Sequence, residues 1–276
     1  MKRLELASGS IETDLPAFIM GIVNCTPDSF FSGSRGGAER AFSLIDEGAD
    51  ILDIGGESTR PGAEYVEAQE EIRRIVPVIR EIRRQSSIPI SVDTRKKAVL
   101  EAALDEGADM LNDVSALEDD AQLGPFAAEK RIPVILMHKR GIPASMQNDT
   151  AYSDVFSEVS GYLSARAAFA MECGIRREKI IVDPGIGFGK DCGANMALIA
   201  RCGSLCGGKF PVLMALSRKT CIGQACGRDA DGRLYGTLAA DMFAVLKGAF
   251  MVRVHDVAPC KDTFAVLKSL LRYESV

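Results

Sequence analysis

Residues 18–24 read Phe-Ile-Met-Gly-Ile-Val-Asn: a short apolar run that is partly β-branched and closes on one polar residue. A run of this kind suits a strand covered on both faces. The pattern recurs through the chain, at 51–56, 89–94, 109–115, 133–138, 180–185, 211–217 and 250–256. Most of these runs have no polar alternation in their middles, and each ends in polar or glycine-rich residues. Amphipathic helix patterns lie between them, for example at 66–84, 96–106 and 152–173. Strands alternating with helices point to parallel pairing. Eight near-equal βα units in 276 residues favour a closed α/β architecture, a single (β/α)8 TIM barrel spanning 1–276, over an open doubly wound sheet. Two loops stand out as long and rich in small or polar residues, at 26–37 and 57–65, where lids and binding loops sit on a barrel.

Composition narrows the classes. Hydrophobic residues are 47% and charged residues 26%, as expected for a soluble globular chain. The net charge of −5, with no basic stripe, argues against a nucleic-acid partner, so any anionic ligand needs a local basic cluster. Of the eight cysteines none forms a C-x-x-C pair, Cys202 and Cys206 are four apart in a helix-like stretch, and His138 and His255 lie far from them in sequence. Zinc spacing is absent, and reduced, buried cysteines in a cytoplasmic protein are the expectation. The charged start Met1-Lys-Arg3 lacks an apolar signal core, and no apolar stretch is long enough to span a membrane.

Barrel enzymes work at the C-terminal ends of their strands. There the runs supply Asn24, then Glu57 to Arg60, Asp93, Asn112 with Asp113, Met137 before His138, Asp183, Ser217 to Lys219, and finally Arg253 with His255. Arg253 and His255 are two apart in a strand and so share a face. Each has a plain structural explanation. Asp93 could cap the next helix, Asp183 could start a turn before Pro184, Arg253 could pair with a buried carboxylate, and His255 could be a satisfied core histidine. His138 is expected to face away from the mouth that Met137 faces. A common location for so many polar groups outweighs the separate explanations. The run Gly185-Ile-Gly-Phe-Gly-Lys190 lacks both a Walker ending and dinucleotide-fingerprint spacing, and is read as a flexible loop after the sixth strand.

Six segments, in order, resemble the dihydropteroate synthases: Asn24-Cys-Thr-Pro-Asp-Ser-Phe30, Gly55-Gly-Glu-Ser-Thr-Arg-Pro-Gly62, Ser91-Val-Asp-Thr94 with Asn112-Asp-Val114, Asp183-Pro-Gly-Ile-Gly-Phe-Gly-Lys190, Ser217-Arg-Lys219 and Arg253-Val-His-Asp256. The run 236–240 also looks like that family's helix before the last strand. The resemblance implies a transferase of folate biosynthesis. It would join 6-hydroxymethyl-7,8-dihydropterin diphosphate to 4-aminobenzoate, with Mg²⁺ as cofactor and a homodimer as the assembly. It implies that Asp183 accepts the paired N–H groups of the pterin edge, that Asn112 reads neighbouring ring positions, and that Lys219 donates near the ring carbonyl. Arg253 would stack on the ring, and Asp93 would face the positive charge that develops there. Asn24, Arg253 and His255 would hold diphosphate, with Asn24 meeting the metal and Thr59 touching the pterin substrate. Phe30, Arg60, Pro61, Phe188, Ser217 and Lys219 would surround 4-aminobenzoate. Four departures from the family pattern are visible: Ala215 where glycine is usual, Lys139 where methionine is commoner, Cys25 and Thr220. Three other readings compete: a corrinoid-linked pterin methyltransferase module, an aldolase with Lys219 as Schiff base, and a non-catalytic pterin-binding protein.

Overall fold

The computed structural model describes residues 1–26, 37–58, 63–141, 146 and 149–273. The chain opens with an antiparallel hairpin, β1 (Lys2–Glu5) and β2 (Ser10–Thr13). An eight-stranded parallel sheet follows: β3 (Phe18–Asn24), β4 (Ile51–Gly55), β5 (Ile90–Asp93), β6 (Met110–Asp113), β7 (Val134–Met137), β8 (Ile180–Asp183), β9 (Leu213–Met214) and β10 (Met251–Val254). The ladder runs β8-β7-β6-β5-β4-β3-β10-β9. A parallel bridge between Val182 and Val212 then joins its two ends, with the Val182 N–H donating to Pro211 O at 2.9 Å. The sheet therefore closes on itself, and the barrel reading prevails over the open sheet.

The helices are α1 (Gly37–Glu47), α2 (Ala68–Gln85), α3 (Lys97–Asp105), α4 (Leu123–Lys130), α5 (Val155–Glu172), α6 (Cys192–Ala200), α7 (Thr220–Cys226), α8 (Leu234–Leu246) and α9 (Val257–Leu271). Local chemistry sets several of their ends. Asp154 accepts from the backbone N–H groups of Phe156 and Ser157 at the start of α5, and Asp191 from that of Ala194 at the start of α6. In α2, Glu70 and Glu71 occupy the first turn and Arg83 and Arg84 the last, which matches the helix dipole. The stretch around Cys202 and Cys206 is 3-10 turns with left-handed residues at Cys206 and Gly207, not a regular helix.

Two apolar layers result. Outward strand residues such as Ile19, Val23, Leu52, Ile54, Val92 and Leu136 pack under the helices. Inward residues Phe18, Met20, Ile51, Met110, Ile135, Ile181, Leu213 and Met251 fill the barrel together with Leu4 of β1. The hairpin, unforeseen from the sequence, thus plugs the N-terminal end. Burying each such side chain contributes roughly 1.5–3 kcal/mol. Among the described residues no helix is long and apolar enough to cross a membrane.

Candidate active site

Two residues further along a strand, the side chain returns to the same face. Stepping two on from the apolar filling leads from Ile51 to Asp53, from Met110 to Asn112, from Ile135 to Met137, from Ile181 to Asp183 and from Met251 to Arg253. Ser91 leads likewise to Asp93. An apolar floor is thereby overlaid by a polar layer at the C-terminal end, where sequence reasoning placed the site.

Arg253 organises this layer. Its Nε donates to Asp53 Oδ2 at 2.5 Å and its terminal nitrogen to Asp93 Oδ2 at 2.9 Å. Asn112 donates its amide nitrogen to the same Asp53 oxygen at 3.0 Å. Burial works against the Arg253 charge, yet Asp53 and Asp93 carry its pKa above the ordinary value. Burial lifts Asp93 to about 7; Arg253 opposes this, while Asp53, Glu71 and Asp113 reinforce it. Gly55 makes room here, since a Cβ on it would stand 3.3 Å from the Cβ of Asp93. Asp93 is thus an ion-pair partner and not a helix cap. Lys97, the first residue of α3, receives its cap from Asp120, whose carboxylate accepts the Lys97 N–H at 2.8 Å.

Asp183 is buried beside Met137, its pairing partner on β7. Its Oδ1 accepts the Gly185 N–H at 2.7 Å, so it does start a turn, and does so inside the site. Burial raises its pKa, while the Gly185 N–H, Lys219, Lys190 and Arg253 pull it down. Lys219 stands over the Phe188 ring, 4.6 Å from its centroid. Ser217 Oγ lies 2.9 Å from His255 Nδ1 and accepts the His255 N–H at 3.2 Å. Arg218, with a left-handed backbone, clamps both oxygens of Asp256 at 2.9 Å and so locks the strand ends that carry Ser217 and His255. Asn24 sits half-buried at the end of β3, paired with Gly55. The structure therefore brings Asp53, Asp93, Asn112 and Arg253 into one bonded network. Asp183 lies within electrostatic reach of it, and the pairs Lys219/Phe188 and Ser217/His255 end neighbouring strands at the same mouth. Phe30, Thr59, Arg60 and Pro61 lie outside the described residues.

The loop after β8 is tied down, contrary to the flexible loop expected. Buried Lys190 donates to Gly185 O at 3.0 Å and Phe188 O at 2.9 Å, and sits 2.9 Å from His138 Nδ1. Asn195 accepts the Gly187 N–H at 2.8 Å. Burial brings Lys190 down to about 7, and burial with the Lys190 charge brings His138 to about 3, so a neutral imidazole faces the Lys190 amine. His138, expected to face away from the mouth, is buried against Lys190 and Tyr162. Gly185 has φ +66°, and a Cβ there would meet His138 O at 1.8 Å, so only glycine fits. Asp113 holds the turn after β6 by accepting from Ser115 and Leu117. Glu57 pairs with Arg95 at 2.9 Å and Lys96 at 2.7 Å.

Two residues escaped sequence reasoning. Asp53 is fully buried in the middle of an apolar run. Its signal was a lone carboxylate two positions after Ile51, on the face that fills the barrel. Lys190 carried no signal of its depth, because His138, which meets it inside the fold, comes from the end of another strand, 52 residues away.

A sequence profile described as "Pterin binding enzyme" matches residues 20–255. The dihydropteroate synthase of Escherichia coli K12 is 40% identical over 258 residues, 92% of this chain and 91% of that protein. The chain belongs to the dihydropteroate synthase family of pterin binding enzymes. Solved structures agree. The Xanthomonas albilineans dihydropteroate synthase with 4-aminobenzoic acid superposes with a TM-score of 0.89 at 41% identity, covering 98% of both chains. The same enzyme in complex with 7,8-dihydropteroate gives 0.86 at 39% identity, covering 98% of this chain and 99% of that one. For a dihydropteroate synthase, two of the departures have visible consequences. Ala215 packs against the apolar filling, and Lys139 pairs with Asp119 at 3.0 Å, which also takes Arg95.

Proposed function

We propose that the polar layer above the barrel floor performs the dihydropteroate synthase reaction: 6-hydroxymethyl-7,8-dihydropterin diphosphate and 4-aminobenzoate give 7,8-dihydropteroate and diphosphate. The observation that carries this assignment is the network of Asp53, Asp93, Asn112 and Arg253 roofing an apolar floor, with Asp183 beside it. A flat heterocycle rimmed with N–H donors and acceptors suits such a pocket.

Asp183 has the buried carboxylate needed to accept two parallel N–H bonds from the aminopyrimidinone edge. Asn112 reads adjacent ring atoms, and Met137 supplies an apolar wall. Departure of diphosphate leaves a cation delocalised over the reduced ring. Asp93, aimed by Arg253, stabilises that charge without reorganising. Arg253, His255 and Asn24 face the leaving diphosphate. The aromatic amine, already unprotonated at neutral pH, attacks that cation; the anilinium so formed is acidic and passes its proton to the departed diphosphate or to water, so no strong base is needed. The ring of 4-aminobenzoate fits against Phe188, beside the Lys219 ammonium, and Ser217 donates to its carboxylate; by the family resemblance Arg60 and Pro61 would complete the second-substrate side, and Thr59 would touch the pterin substrate.

Asn24 would hold Mg²⁺ through its amide oxygen, a hard donor of the kind this ion prefers. When bound, the ion would neutralise diphosphate charge. Exposed Tyr235, Phe243 and Leu246 on α8 support pairing with a second copy. All eight cysteines are free, which supports a reducing, cytoplasmic setting.

Diphosphate release with and without 4-aminobenzoate tests the assignment. Release should depend on both substrates and sulfonamides should compete with 4-aminobenzoate. Release indifferent to 4-aminobenzoate would overturn the assignment, and purely noncompetitive inhibition would overturn the second-substrate site.

A further inference from the structure

We infer that Asp53 is a positioning residue for this reaction, its carboxylate fixing the orientations in which the Arg253 guanidinium and the Asn112 amide meet the pterin. The inference rests on the reaction proposed above. Asp53 Oδ2 alone receives both contacts, Arg253 Nε at 2.5 Å and Asn112 Nδ2 at 3.0 Å. An ionised carboxylate only accepts, so the amide nitrogen must turn toward it, which directs the Asn112 oxygen elsewhere. Binding Nε likewise fixes the guanidinium about its long axis and leaves its terminal nitrogen for Asp93.

Stability does not account for Asp53. It is fully buried, and its Oδ1 has no hydrogen-bond partner among the described residues. Replacing a buried ion pair by apolar side chains is often neutral or stabilising, and the neighbouring inward position on the same strand, Ile51, is apolar. The charge also reaches the reacting end. Asp93 on β5 is faced by Asp53 from β4, Arg253 from β10, Glu71 from α2 and Asp113 from β6. Removing the Asp53 charge therefore eases ionisation of Asp93.

The test is Asp53→Asn, which keeps the shape and removes the charge. We expect kcat/KM for the pterin diphosphate to fall about 10- to 100-fold, as for loss of a charge-assisted hydrogen bond. KM for 4-aminobenzoate should hold, and the acid limb of the pH profile should move to lower pH. Wild-type kcat/KM, or equal losses for both substrates with the acid limb unmoved, would overturn the inference. Should Asp53→Asn not fold, the wild-type enzyme gives a second reading. The Arg253 Nε–H resonance, assigned by its disappearance in Arg253→Lys, should exchange slowly with water, and fast exchange sinks the idea. If the wild type itself shows no 4-aminobenzoate-dependent release, the reaction assignment fails. If it does and Asp53→Asn behaves as wild type, only the role of Asp53 fails.

Discussion

The floor and the mouth of this barrel are built from the same strands, two residues apart, and obey opposite rules. Ile51, Met110, Ile135, Ile181 and Met251 fill the lower interior with apolar volume; Ser91 is the exception there, its Oγ buried without a hydrogen-bond partner among the described residues. Asp53, Asn112 and Asp183, one step higher on the same face, bury polar and charged groups, and half-buried Arg253 joins them. The lower layer stabilises the fold. The upper layer costs desolvation that only its pairings and its ligands offset. Stability and chemistry are thus separated along each strand and not between domains.

That separation can be broken most strongly at Asp93. Asp93→Asn should cut turnover by roughly 10²- to 10³-fold, as for loss of one preorganised electrostatic group, measured by diphosphate release; unchanged kinetics would remove Asp93 from the mechanism. Because burial holds the Asp93 carboxyl at about 7, wild-type kcat/KM should rise with pH up to about 7 and then level off. The Asn variant should lack that limb.

The contrast sharpens at Asp241 on α8, a buried carboxylate outside the site. Neither of its oxygens has a hydrogen-bond partner among the described residues, and burial, reinforced by Asp256, raises its pKa well above the usual value. Its folded pKa lies above its unfolded one, so the stability linked to its proton is present below about pH 4 and is lost as pH rises. Asp241→Ala should therefore stabilise the protein by about 1–3 kcal/mol at pH 8, with the gain shrinking toward pH 4, as read from urea unfolding. A loss of stability at pH 8 would show that Asp241 has a partner worth keeping.

The smallest expected effect is in the floor. Ile135→Val should cost about 0.5–1.5 kcal/mol of stability and leave both KM values alone. A change in KM for the pterin substrate without loss of stability would mean that floor and mouth are not separable.

Most of the alternation of elements was legible from local pattern. Apolar runs predicted all eight barrel strands, β3 residue for residue and the others as shorter cores of their runs, and the 66–84, 96–106 and 152–173 patterns became α2, α3 and α5. The polar strand ends were legible too, because a period of two and the one-sided geometry of barrels are properties of short segments. The N-terminal hairpin was not, since four-residue strands of mixed polarity carry little periodic signal.

What the sequence determined by itself was therefore the βα repeat, the family to which the chain belongs, and the set of side chains at one end of the strands. Tertiary structure alone decided how those side chains pair. Arg253 meets Asp53 across 200 residues and Asp93 across 160, and Lys190 is buried among carbonyls of its own loop and a histidine supplied by the end of β7. A charged residue in an apolar run reads as an anomaly until ring closure brings its partner to it. Closure itself depends on one bridge, from Val182 to Val212, between strand ends whose local sequences say nothing of each other.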